Sequence, residues 1–90
     1  MRRHERPPGF WPPLIEEALR SSGGGAPPRQ VCVWLEQHVT LTDRERSAST
    51  HGQRPRLQVT VQGIMNEMAH PSRGRLLHPW RGWYVLPSWR

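Results

Sequence analysis

Three stretches of the chain place apolar residues at the spacing of an amphipathic helix. In the first stretch the apolar side chains follow one another at i, i+3, i+4, i+7 and i+8. They belong to Trp11, Leu14, Ile15, Ala18 and Leu19. A second stripe, which we expect to be buried, is formed by Val31, Trp34, Leu35 and either His38 or Val39, and a third extends from Pro55 to Ala69. Because proline suits the first turn of a helix, we predict three main helices that begin near Pro12, Pro28 and Pro55.

The end of the chain has the pattern of a β-hairpin. Residues 83–86 are aromatic and β-branched, as is typical of a strand, and residues 76–78 provide an apolar partner. The segment 79–82 between them contains proline and glycine, which favour a turn. We therefore predict two antiparallel strands joined by a turn at 79–82.

The order of these elements indicates a fold class. Thr42 and Glu45 have the spacing of a capping box, which predicts a short helical turn between the second and third helices. The chain then reads helix, short extended stub, helix, helical turn and loop, helix, hairpin. This is the order of an α+β winged helix-turn-helix, with three main helices and a C-terminal two-stranded wing. We expect this winged-helix domain to occupy residues 10–90, after a flexible basic arm at 1–9.

Charge gives the first indication of a partner. The 90 residues contain 13 Arg, no Lys and 7 acidic residues, for a net charge of +6. Residues 40–90 hold eight of the arginines against one Asp and two Glu, a net charge of +5. The second half of the chain is therefore the part that would attract a polyanion such as DNA.

The same inventory argues against several other classes. The single cysteine, Cys32, excludes an internal disulfide and fits a reducing compartment. The longest apolar run, 31–35, is far shorter than the ~20 residues of a membrane span, and no apolar segment of a secretion signal follows the first residues. Five scattered histidines lack the spacing of a metal site. No catalytic triad, carboxylate pair or phosphate loop is evident, so we expect neither an enzyme nor a cofactor.

Short motifs give the chain a family resemblance over about residues 10–87. The motifs are Ile15-x-x-Ala18-Leu19, Gly23-Gly24-x-Ala26-Pro27, Leu41-Thr42-Asp43, Gly52-x-x-Pro55-Arg56 and Arg81-Gly82-x-Tyr84-x-Leu86. In this order and spacing they resemble the N-terminal winged-helix domain of Mrr-type restriction proteins. The resemblance implies DNA binding beside a nuclease or other effector domain, in restriction of foreign or modified DNA. It also implies a cytoplasmic protein associated with the bacterial nucleoid.

The resemblance carries over to a few positions only. Arg56 matches the arginine that opens the third helix of the family, and Arg81 lies in its Arg-Gly wing turn. Gly63 stands where a large aromatic residue is common. Gln62 and Met65 replace positions that are often arginine, which weakens the expected phosphate binding. No nuclease domain follows within the 90 residues, so the family's cleavage activity is not transferred.

The residue types and their positions predict which side chains contact double-stranded DNA. The third helix presents arginine for phosphates at its start and polar side chains for base edges one turn later. The wing adds arginines for phosphates or the minor groove. These candidates are Arg54, Arg56, Gln58, Thr60, Gln62, Arg73, Arg75 and Arg81. The competing interpretation is that they are ordinary solvated residues.

Two tryptophans of the wing have three possible roles. Strand alternation places Tyr84 and Leu86 toward the core, and Trp83 and Val85 on the opposite face. Trp80 and Trp83 stand beside arginines, a pattern found where bases stack, including flipped or modified bases. They can equally pack on the first helix or on each other. Exposed, they would suit a protein partner, so the alternative function is an adaptor that recruits an effector such as a nuclease.

Overall fold

A computed structural model of the protein describes residues 6–7, 9–47 and 55–87. Within these ranges the chain forms an α+β domain with four helices and a three-stranded antiparallel sheet. The elements are α1 (Trp11–Ser21), β1 (Gly25–Ala26), α2 (Pro28–His38), α3 (Asp43–Arg46), α4 (Arg56–Met68), β2 (Leu77–Trp80) and β3 (Trp83–Val85). The predicted order of helices and hairpin is confirmed.

The three long helices pack around one core through the stripes seen in the sequence. Each buries residues at helical spacing, and the buried set includes Ile15, Leu19, Val31, Leu35, Leu57, Val61 and Met65. The second stripe differs from expectation at its C-terminal end. Trp34 is only partly buried and stacks on the exposed His38, with ring centroids 3.9 Å apart. This pair therefore covers the edge of the core instead of filling it.

The short helix α3 begins at the predicted capping box. The Thr42 hydroxyl accepts a hydrogen bond from the Glu45 amide, and the Glu45 carboxylate accepts one from the Thr42 amide. The same carboxylate also binds the Arg6 guanidinium at 2.8 Å. Arg6 further donates to the carbonyl of Thr40 and lies over the ring of Phe10. This arginine of the predicted arm is thus attached to the domain.

The sheet has β3 at its centre, with β1 on one side and β2 on the other. The backbone of β1 comes so close to β3 that a Cβ on Gly25 would lie 2.6 Å from Val85 Cγ1 and 3.0 Å from Trp83 Nε1. Val85 lies on the face expected from alternation, but it is buried because it packs over this glycine. The side chains of Val85 and Trp83 therefore lie over Gly25 on the outer face of the sheet.

The hairpin turn is tighter than the sequence predicted. Trp80 pairs with Trp83, so Pro79 and Trp80 belong to β2, and only Arg81 and Gly82 form the turn. Gly82 has a φ of +79°, which glycine adopts without strain. Pro79 is tolerated because β2 is an edge strand, where a missing amide donor is acceptable.

Candidate nucleic-acid interface

Helix α4 presents one open side to solvent. Its buried residues are Leu57, Val61, Met65 and Met68. At about 100° per residue, the positions opposite them are Val59, Gly63 and Asn66, and all three are exposed. No atom lies within 4 Å of the place where a Cβ on Gly63 would be. This open face of α4, defined by Val59, Gly63 and Asn66, was not identified from the sequence.

The predicted polar residues of α4 flank this open face. Gln58 and Gln62 are one turn apart, lie on the same side and are both partly buried. Thr60 is exposed on the other side, about 200° around the helix from Gln58. The structure therefore brings the two glutamines together and separates them from Thr60. This separation could have been predicted from helical periodicity, because residues two positions apart do not share a helix face.

The start of α4 carries a positive charge. The Arg56 amide donates to the carbonyl of Ser47 at 2.8 Å, and Arg56 Nε lies 3.2 Å from Ser47 Oγ. No acidic residue occupies the first turn, and Pro55 provides no side-chain cap. This end of the helix combines a guanidinium with the positive end of the helix dipole. Arg54, the other arginine predicted here, lies outside the described residues.

The hairpin is attached beside the open face of α4. The Tyr84 hydroxyl donates a hydrogen bond to Asn66 Oδ1. Burial raises the pKa of Tyr84, which keeps this hydroxyl protonated as a donor. The amides of Arg75 and Leu76 donate to the carbonyl of Met68 at the end of α4. These contacts fix the position of the hairpin relative to α4.

The hairpin tip combines aromatic rings with one arginine. Trp80 is 62% exposed, and its ring lies nearly parallel to that of the partly buried Trp83, with centroids 5.9 Å apart and an interplanar angle of 19°. Arg81 is exposed in the turn and makes no ion pair with any acidic residue in the described ranges. The two tryptophans thus stack on each other, and Arg81 is available to an external anion.

The other two predicted wing arginines bind acidic side chains of the domain. Arg73 lies 3.0 Å from Glu67 on α4, and Arg75 lies 3.1 Å from Glu16 on α1. The Arg73–Glu67 pair is exposed, and in the other pair Arg75 is 44% and Glu16 22% exposed, so solvent screens both pairs and each contributes little to stability. Their charge is nevertheless compensated locally. A polyanion is therefore attracted less strongly to Arg73 and Arg75 than to Arg81.

Other arginines lie near the start of α4 and were not singled out from the sequence. Arg29 and Arg46 line a cleft of about 240 Å³ between α2, α3 and the start of α4, together with Gln58. Neither arginine, nor Arg44 on α3, pairs with an acid among the residues that the structure describes. One local signal was available for Arg29, because no acidic residue stands within four positions of it.

The cleft also contains the thiol of the buried Cys32. Burial, with a smaller effect from Glu36, raises the pKa of this thiol to about 12. The reactive thiolate is therefore scarce at neutral pH. Among the described residues, no three His, Cys, Asp or Glu side chains are grouped as a metal ion would require.

Membrane-spanning helices and similarity to known proteins were the two remaining sources of a functional assignment. None of the helices in residues 6–7, 9–47 and 55–87 is long and apolar enough to cross a membrane. Comparisons of the chain with protein-family models, with curated proteins and with solved structures found no match.

Proposed function

We propose that this protein is a winged-helix module that binds double-stranded DNA, with α4 in the major groove and the β2–β3 hairpin as its wing on the backbone or minor groove. The observation that carries the proposal is the open face of α4 with the hairpin held beside it through Tyr84 and Asn66. The order of elements and the β1-β3-β2 sheet also suit a winged helix. On the motif resemblance, we place the module in restriction of foreign or modified DNA, next to an effector.

The shape of α4 suits a helix that enters a groove. Its open face has no bulky side chain at Gly63, so the helix backbone can approach the floor of the groove closely. Val59, which is 44% exposed, offers a methyl surface of the kind that contacts thymine. The amide group of Asn66 retains its two N–H donors, because the Tyr84 bond uses its oxygen. In this proposal Gln62 and Thr60 face the two walls of the groove.

Charge supports the same orientation. Arg56 lies at the start of α4 and Arg81 at the hairpin tip, and neither forms an ion pair with an acid of the described residues, so a cation is available at each end of the proposed interface. Arg20 and Arg75, by contrast, pair with the α1 acids Glu17 and Glu16. Phosphates contacted by unpaired arginines supply most of the sequence-independent affinity of such modules.

The test compares two double variants that remove the same charge. In Arg56→Ala/Arg81→Ala both unpaired arginines of the interface are lost; in Arg20→Ala/Arg75→Ala both arginines that pair with α1 acids are lost. We expect the first variant to bind a labelled duplex at least about tenfold more weakly, by loss of two phosphate contacts. The matched variant should change affinity by less than about threefold. Fluorescence anisotropy measures both, with circular dichroism to establish folding, and equal losses in the two variants would refute the orientation.

One observation favours a second candidate function. Leu77 and Trp80 are 49% and 62% exposed on the same strand, and exposed apolar residues of this size are typical of protein contacts. An adaptor that uses this strand to recruit an effector would bind DNA weakly or not at all. In that case Arg56→Ala/Arg81→Ala would leave its partner complex intact, whereas Trp80→Ala would disrupt it.

A further inference from the structure

We propose that the hairpin tip stacks on an unpaired nucleobase, so that the protein prefers DNA in which a duplex meets a single strand. This inference rests on the proposed function, because it specifies the kind of DNA bound at the same interface. Its basis is the combination at the tip of an open tryptophan ring, a fixed ring beneath it and an uncompensated arginine.

The hairpin tip offers an aromatic surface on which a base can stack. Trp80 is the most exposed of the large apolar side chains in the described residues. It rests on Trp83, whose indole nitrogen lies against the backbone of Gly25, so the lower ring is held in place by the tight contact between β1 and β3. Trp80 is therefore a supported platform with a large open surface. Nucleobases stack on such surfaces in proteins that bind single strands.

The hairpin tip also carries the positive charge of Arg81. Arg81 follows Trp80 directly in the turn and has no acidic partner among the described residues. No Asp or Glu occurs anywhere in residues 69–87. A nucleotide needs an apolar surface for its base and a cation for its phosphate, and the tip supplies both. A second copy of the chain fits less well, because two tips would bring their uncompensated arginines together.

A base must be unpaired, or at the end of a duplex, to stack on the tip. Inside a duplex both faces of each base are covered by the neighbouring bases, so a tryptophan can stack only on an unpaired, extruded or terminal base. The hairpin is attached to α4 by the Tyr84–Asn66 hydrogen bond. A duplex on the open face of α4 would therefore bring a base beyond its end, or at a junction, toward Trp80. Pairing status, and not base sequence, is what the tip would detect.

The experiment uses two labelled probes with the same duplex sequence. One duplex has both ends closed by non-nucleotide linkers, and the other carries a single-stranded thymine tail. We expect the wild type to bind the tailed duplex about tenfold more tightly, the size of one base–aromatic stack. Trp80→Ala should bind both probes as the wild type binds the closed one, and Trp80→Phe should keep part of the preference. Leu77→Ala, which removes an exposed apolar residue from the same strand, should keep all of it.

The outcomes separate the two proposals. Equal wild-type affinity for the two probes, or a preference that survives in Trp80→Ala, would overturn the stacking inference and leave duplex binding intact. Failure of the wild type to bind the closed duplex would instead overturn the proposed function. Sedimentation velocity provides an independent check, since self-association that disappears in Trp80→Ala would assign the tip to a second copy and overturn the inference.

Discussion

Gly25 is the residue whose replacement the sheet tolerates least. A Cβ at this position would lie 2.6 Å from Val85 Cγ1 and 3.2 Å from the carbonyl oxygen of Tyr84. Because Val85 is buried, it has little room to move. We therefore expect Gly25→Ala to lower the free energy of unfolding by about 1–3 kcal/mol, the usual cost of overpacking. Urea denaturation followed by circular dichroism measures this change.

Gly63 supplies the matched control for that substitution. It lies in the middle of α4 with nothing within 4 Å of the added methyl group, so only helix propensity should change. Gly63→Ala should raise the free energy of unfolding by about 1 kcal/mol. If Gly25→Ala were as stable as the wild type, the close contact between β1 and β3 would be incorrect.

Individual arginines mark the limit of what the sequence could predict about the site. Arg75 and Arg81 look alike in the sequence, since neither has an acidic residue within four positions. In the structure Arg75 pairs with Glu16, which is 59 positions away, and Arg81 pairs with no described acid. Only the tertiary fold, which brings Arg75 next to Glu16 of α1, distinguishes the two. The sequence identified both arginines as candidates for DNA contact, but it did not indicate which of them would be available to DNA.

Among the contacts between elements, the ion pair of Arg6 with Glu45 of α3 depends on pH. The hydrogen bond from Arg6, with smaller effects from the Thr42 amide and the Arg6 charge, lowers the pKa of Glu45 below its usual range. A carboxylate with a lowered pKa stabilises the folded state above its unfolded pKa of about 4.3. That stabilisation is lost as the pH falls below this value through the folded pKa.

The variant Glu45→Gln isolates this contact, because glutamine retains the capping box but not the charge. At pH 7 the wild type should exceed the variant by about 1 kcal/mol in the free energy of unfolding. The difference should shrink as the pH is lowered from about 5. Urea denaturation over this pH range provides the measurement. A difference that stays constant down to acid pH would mean that the ion pair does not form in solution.

The hydrogen bond between Tyr84 of the hairpin and Asn66 of α4 can be measured directly. Tyr84→Phe removes the hydroxyl that donates to Asn66, and Asn66→Ala removes the acceptor. In a double-mutant cycle, we expect a coupling of about 1 kcal/mol in the free energy of unfolding. Amide hydrogen exchange in β2 should also become faster in Tyr84→Phe, because the hairpin is held less firmly. Zero coupling would argue that the hairpin is not fixed to α4 at this point.

Elements were predictable from the sequence where one local rule determined them. The stripes of α1 and α4 and the capping box of α3 follow from residue spacing alone, and the structure confirms them. The predicted hairpin turn, 79–82, was too long, because proline usually favours a turn and Pro79 was therefore assigned to it. Its place in β2 depends on β2 being an edge strand. That property belongs to the assembled sheet and cannot be read from residues 76–86 alone.

Over the whole molecule, paired and unpaired arginines occupy different places. Acids of α1 compensate Arg20 and Arg75, while Arg56 at the start of α4 and Arg81 at the hairpin tip pair with no acid among the residues that the structure describes. The fold could be predicted in outline because its helices are amphipathic. The division of charge could not, because it depends on which helices and strands meet.

The salt dependence of duplex binding shows whether unpaired arginines bind DNA phosphates. Affinity should be measured by fluorescence anisotropy on a closed duplex over a range of salt concentrations, with the protein folded throughout. We expect log K to fall linearly with log salt at a slope of about −4 to −5, near 0.9 for each phosphate neutralised. Arg56→Ala/Arg81→Ala should reduce the magnitude of this slope by about 2. An absence of saturable binding at low salt, or a slope unchanged in that variant, would mean that α4 and the hairpin do not form a DNA interface.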